Sequence, residues 1–157
     1  MIQARQTPAQ GAAARGDQTC VFCEIICRHA PAEILYENDH ALAILDIRPI
    51  HHGHSLVIPK VHCRDFLGLP KEYLGGVLEA AQTVAAATVR ALSLEGFNVF
   101  SNNGLVAGQS VFHFHMHVTP RYPDDRIRFE LTLKQYQDGQ MRAMAQNIRT
   151  CLSEQSR

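Results

Sequence analysis

The chain has 157 residues, enough for one domain with a proper core and too few for two ordinary ones. Apolar residues make up 46% and charged residues 19%, which excludes a fully disordered chain. Fifteen basic residues balance fifteen acidic ones, which argues against a nucleic-acid polymer as partner, and no apolar run approaches the roughly 18 residues of a membrane span.

Residues 1–19 are rich in Ala, Gln, Gly and Thr without periodicity, and read as a disordered N-terminal tail. Two arginines and one acid give them only a faint transit-peptide character. The remainder, 20–157, reads as one folded domain. CVFCEIICRHAP (20–31) opens it as a short helix stopped by Pro31. EILYE (33–37) and ALAILDI (41–47) flank Asn38-Asp39 and predict a hairpin. SLVIP (55–59) is a further strand. Residues 71–93 place apolar side chains at helical spacing, behind Pro70 and ahead of Gly96 as a stop. FNVFS (97–101) predicts a strand, and SVFHFHMHVT (110–119) alternates strictly and predicts another. Residues 134–153 predict a final helix, with Tyr136, Met141, Met144, Ile148 and Cys151 on its apolar side. The order β-β-β-α-β-β-α with short connections predicts an α+β fold around a mostly antiparallel sheet.

Five cysteines are an odd set, and the first twenty residues lack an apolar signal core. Both point to a reducing, cytoplasmic setting, where close cysteine pairs serve metals or redox chemistry more often than structural bridges. Cys20-x-x-Cys23 has metal-ligand spacing. A thioredoxin-like motif is its rival, but the βαβ context is missing.

Seven of the nine histidines fall in two stretches, His51, His52, His54 and His62 in one and His113, His115 and His117 in the other. On a strand, Phe112, Phe114, Met116 and Val118 face one way and the three histidines the other, with successive histidine Cα atoms about 6.6 Å apart. Three imidazoles suit a solvated polar face, a metal site, or nucleophilic chemistry on phosphorus. Gly104, Gly108, Gln109 and Ser110 precede them as a loop able to bring donors close to a phosphate. The same glycines suit an ordinary hairpin.

The run AGQSVFHFHMHVTPR (107–121) resembles the signature of the histidine triad (HIT) family. LDIRP (45–49), GHSLVIPKVH (53–62) and CVFCEII (20–26) extend the resemblance over residues 20–122. It implies a HIT-like fold with a five-stranded sheet, one long central helix and a C-terminal helix. It also implies nucleotide hydrolysis or transfer, with His115 as the nucleophile that forms a nucleotidyl-histidine intermediate before water releases a nucleoside monophosphate. Histidine rather than glutamine at 117 is similar to the hydrolase branch. By the same resemblance His54 steadies phosphate charge or the nucleophile, and His117 bonds a carbonyl or the α-phosphate. Gln109 and Ser110 contact the phosphate or departing group. Asp46 binds the ribose hydroxyls, which a carboxylate accepts well. Phe22, Ile25, Ile44 and Ile47 match the walls of a base pocket, though each suits a plain core, and Asn102 matches an active-site asparagine.

The resemblance to a zinc-bearing, bacterial-type subgroup implies that Cys20, Cys23, His62 and His113 hold one structural Zn²⁺, with no position open to water. The implied partner is a purine nucleotide such as an AMP or GMP derivative, and the implied assembly is a homodimer through the long helix and a strand. The phosphoramidate-hydrolysing branch often carries Trp near its C-terminus, and this chain has no Trp. A binding module with vestigial hydrolysis is the rival to the enzyme, and a zinc-dependent hydrolase a third reading. His51 and His52 acquire no role.

Overall fold

A computed structural model describes residues 20–128 and 131–154; the tail predicted at 1–19 lies outside them. The chain forms two compact units, one ending at Asp125 and one beginning at Arg126. In the first, α1 (Val21–Ile26) is followed by β1 (Ile34–Glu37), β2 (Ala41–Leu45), β3 (Ser55–Pro59), α2 (Lys71–Leu92), β4 (Gly96–Phe100) and β5 (Met116–Arg121). The five strands form one antiparallel sheet in the order β1-β2-β3-β5-β4. The fold is α+β.

Asn38 closes the β1–β2 hairpin, its Oδ1 accepting from the main-chain N–H of His40 at 2.9 Å and of Ala41 at 2.8 Å. Strands β2 and β3 are buried along almost their whole length because both faces of the sheet are covered. On one face, Ala41, Ala43, Val57 and Val118 pack with Val77, Ala80, Ala81, Val84 and Ala85 of α2. The alanines let the helix axis approach the strands closely. On the other face, Leu42, Ile44, Leu56 and Ile58 pack with Phe22 and Ile25 of α1.

Several boundaries depart from the sequence reading. α1 ends at Ile26, with Arg28 at φ 64°, before Pro31 is reached. α2 ends at Leu92, within one residue of the reading, but a left-handed Ser93 at φ 50° stops it rather than Gly96, which begins β4. β5 begins at Met116, so 110–115 is not strand. There, hydrogen bonds to other groups replace the ladder: Phe114 N–H donates to the Cys63 carbonyl at 2.7 Å, and the Pro59 carbonyl accepts from the His113 ring at 3.0 Å. Phe112 is therefore half-buried beneath the Arg64 guanidinium, 4.8 Å away, rather than a core residue beside Phe114.

In the second unit, α3 spans Gln140–Glu154, six residues later in its start than predicted. Gly139 at φ 77° and a bond from Gln137 N–H to Gln140 Oε1 at 2.9 Å set that start. Met141, Met144, Ile148 and Leu152 are exposed along it. Among the described residues no helix is long and apolar enough to cross a membrane.

Candidate active site and metal centre

Cross-strand register sets the site. Ile44 of β2 lies opposite Leu56 of β3, and Leu56 opposite His117 of β5. One row across the sheet therefore runs from the apolar floor under α1 to an imidazole. Phe100 of β4, opposite His117, stacks on it with ring centroids 4.7 Å apart. Above this row opens a groove of about 630 Å³, lined by Phe22, Ile25, Ile44, Asp46, Ile47 and Arg48 at one end and Ser110, His115 and His117 at the other. Phe22, Ile25 and Ile44 are at once core and groove wall, being buried members of the cluster beneath it. Ile47 is 90% exposed at the groove rim. A larger apolar depression, about 930 Å³ between α2 and β4, contains no histidine or cysteine.

Hydrogen bonds to the main chain assign the tautomers. His115 Nδ1–H donates to the His113 carbonyl at 2.8 Å, which leaves its Nε2 lone pair free. Burial holds the His115 pKa below the usual imidazole range, partly offset by that carbonyl and by Asp46. The ring is neutral at pH 7 and 5% exposed, with Phe22 edge-on at 5.1 Å. His54 Nδ1 accepts from Ile50 N–H at 3.2 Å, so its Nε2–H donates to His117 Nδ1 at 2.9 Å. His117 in turn presents Nε2–H. Burial, with His115 and His54 alongside, pushes the His117 pKa down to about 4. His54 is lowered by burial too, against the opposing pull of Asp46.

Gln109 is buried and its amide is engaged by main-chain groups. Its Oε1 accepts from Gly104 N–H at 2.8 Å, and its Nε2 donates to the carbonyls of Arg64 at 2.6 Å and Val111 at 3.1 Å. The amide ties the 104–111 loop to the segment after β3. Ser110 is exposed on the groove. Asn102 is half-buried beside Gly108 and does not line the groove. Arg48 and Phe100 are neighbours that the motifs did not single out. Arg48 stands within LDIRP, and Phe100 becomes visible only once β4 is registered against β5.

The second cluster joins Cys20, Cys23, His62 and His113, whose ligand atoms all lie within 4.8 Å of one another. Cys20 Sγ to His113 Nδ1 is 3.4 Å, Cys23 Sγ to His113 Nδ1 is 3.6 Å and Cys23 Sγ to His62 Nδ1 is 3.3 Å. A tetrahedral ion with bonds of roughly 2.0–2.3 Å has ligand–ligand edges of about 3.6 Å, so the donor set fits. The bond from the His113 ring to the Pro59 carbonyl fixes Nε2–H and aims the Nδ1 lone pair at the thiols. Burial and the neighbouring Cys20 thiol push Cys23 up to about 12, an order that a cation among these donors inverts. The main chain thus divides the triad. His113 turns to the cysteines, and His115 and His117 turn to the groove.

The family model described as "HIT domain" matches residues 28–124. The adenylylsulfatase HINT3 of Arabidopsis thaliana is 38% identical over 117 residues, 74% of this chain and 59% of that protein. A crystal structure of a Zn-bound histidine triad family protein from Mycobacterium smegmatis is 38% identical at a TM-score of 0.67, covering 87% of this chain and 99% of that one. A histidine triad nucleotide-binding protein from Candida albicans is 26% identical at a TM-score of 0.79, covering 87% and 99%.

Proposed function

The chain belongs to the histidine triad (HIT) family, a family of nucleotide-binding proteins and hydrolases, and we propose that it hydrolyses nucleoside 5′-phosphate derivatives through a covalent nucleotidyl-histidine on His115, releasing a nucleoside monophosphate. Phosphoramidates and dinucleoside polyphosphates are the substrate classes. The name of the Arabidopsis relative adds adenylyl sulfate to them. The observation that carries the reading is the neutral His115 ring, held at Nδ1 by the His113 carbonyl and free at Nε2 beside the groove.

A purine base enters between Phe22, Ile25, Ile44 and Ile47, and the ribose diol bonds the Asp46 carboxylate. The α-phosphate then faces His115. The Nε2 lone pair attacks phosphorus, and the bond to the departing oxygen or nitrogen breaks. The His54–His117 pair takes up one proton from solvent as the anionic substrate binds, and the departing atom takes the His117 Nε2 proton, supported by the Ser110 hydroxyl. Water attacks the phosphorus next, gives a proton back to the histidine pair, and frees His115. His54 orients His117 through their shared proton, while Gln109 keeps the loop carrying Ser110 in register.

Cys20, Cys23, His62 and His113 would hold Zn²⁺. When bound, the ion supplies a closed structural link between α1 with its N-cap, the turn after β3 and the segment leading into β5. The enzyme is read as a cytoplasmic homodimer. Edge strand β4 and α2 expose Leu78, Phe97 and Val99 around the 930 Å³ depression, an apolar face suited to a second copy. Light scattering at a mass near 17.5 kDa would count against the dimer.

The test is AMP release from adenosine 5′-phosphoramidate, diadenosine tetraphosphate and adenylyl sulfate. Turnover of at least one is expected, and the preferred one names the leaving group. AMP binding without turnover of any of the three would favour a nucleotide-binding module instead.

A further inference from the structure

Asp46 stands at the sugar end of the groove, yet its carboxylate also faces inward. Its main-chain N–H donates to the His54 carbonyl at 2.9 Å, which anchors the residue across the loop from β2 to β3. Oδ1 accepts from Arg48 N–H at 2.8 Å. Oδ2 lies 3.4 Å from His54 Nδ1. His54 is 2% exposed and bonds onward to His117 through Nε2. Asp46, His54 and His117 bring polar atoms within 4.8 Å of one another. A continuous polar chain therefore runs behind the groove, from the place of the ribose to the place of the departing group. His115 is the other titratable neighbour that acts on His54.

In the resting state the arrangement is incompletely satisfied. The His54 Nδ1 lone pair accepts from Ile50 N–H and at the same time faces a carboxylate oxygen, acceptor against acceptor. One added proton at Nδ1 exchanges the Ile50 N–H contact at 3.2 Å for a charge-assisted bond to the carboxylate oxygen at 3.4 Å. His54 becomes an imidazolium that donates to Asp46 on one side and to His117 on the other.

We propose that Asp46 is a positioning residue for proton donation by His117, acting through His54, in addition to binding the sugar. The inference rests on the hydrolase reading above. The anionic substrate enters with one proton taken up from solvent onto the His54–His117 pair, balanced by the Asp46 carboxylate. When the phosphorus bond to the leaving group breaks, the proton on His117 Nε2 moves to the departing atom. The proton on His54 Nε2 moves to His117 Nδ1, and His54 is left neutral with its Nδ1–H on Asp46. One proton has entered and one has left with the product.

The experiment is a cycle between enzyme and substrate. Wild type and Asp46→Asn are compared on adenosine 5′-phosphoramidate and on its 2′,3′-dideoxy counterpart, which has no diol for Asp46 to hold. Asparagine preserves the shape and the acceptor for Arg48 N–H, but its amide donates to His54 Nδ1 and holds that ring neutral. Removal of the diol raises KM for wild type with little change in kcat. Asp46→Asn lowers kcat by about tenfold or more on both substrates. Its loss is larger for an amine leaving group than for an activated aryl phosphate ester, which needs no proton. If Asp46→Asn matches wild type on the dideoxy substrate, Asp46 serves the sugar alone and the proposal is overturned. If wild type turns over none of these and neither diadenosine tetraphosphate nor adenylyl sulfate, the hydrolase reading falls and takes this proposal with it, a result distinct from the first. Should Asp46→Asn melt far below wild type, Asp46→Glu, which displaces the carboxylate by one methylene, is read on the dideoxy substrate by the same kcat criterion.

Discussion

Stripping the ion from the Cys20–Cys23–His62–His113 centre should loosen the first unit without dissolving its sheet. The ion would link Cys23 to His62, 39 residues on, and to His113, 90 residues on. Taking only the shorter closure, the chain-entropy relation for a cross-link gives about 4 kcal/mol. The thiol–imidazole hydrogen bonds survive metal loss and return part of that, so a net loss of about 2–4 kcal/mol is expected. For a unit of roughly a hundred residues this lowers Tm by at least about ten degrees. The assay is thermal unfolding of protein purified without chelator, before and after chelation, with metal content measured on the same samples. Cys23→Ser should melt near the chelated wild type and show little further change with chelator. Well under one equivalent of zinc in the untreated protein would refute the ion's presence. Complete removal with Tm unchanged within about two degrees would refute its structural role.

Two further perturbations probe the scaffold and its histidines. A Cβ on Gly76 would lie 2.7 Å from both Cβ and Nδ1 of His40, so Gly76→Ala should cost about 1–3 kcal/mol, read as a lower urea midpoint; an unchanged midpoint would contradict that contact. His117 titrates at about 4 in the folded chain against an ordinary 6.5, so between those values the unfolded chain binds more protons. Its contribution to stability is present above pH 6.5 and is lost as pH falls toward 4. Denaturant unfolding at pH 7.5 and pH 5 should show that loss, and His117→Gln should show a shallower one.

The helix α2 was legible almost to the residue, because small apolar side chains at Val77, Ala80, Ala81, Val84 and Ala85 repeat at one spacing and Pro70 marks the entry. Its stop residue was not, since any residue that tolerates a left-handed turn can stop a helix and here Ser93 does so ahead of Gly96. Alternation along 110–119 correctly separated imidazoles from most of the apolar side chains. It could not say that Cys63 and Pro59 carbonyls, rather than a neighbouring strand, would hold residues 113 and 114. For the same reason the three histidines could be read as one set, although the main chain aims His113 and His115 at different clusters. The four-residue donor set was legible through its motif blocks and converges in space. The main-chain partners of Gln109 were not legible, because a side-chain amide satisfies main-chain groups as readily as a ligand. The link from Asp46 to His54 joins residues eight apart across a loop, and no periodicity signals it.

The central claim is covalent catalysis at His115, and rapid-quench mass spectrometry on the preferred substrate tests it most directly. Wild type should show a nucleotidyl adduct on the peptide carrying His115 within the first turnover, and a burst of leaving group of about one equivalent. His115→Ala should show no adduct and release AMP at least about a thousandfold more slowly. An active wild type with no adduct at any time, or a His115→Ala variant that keeps its rate, would contradict the account.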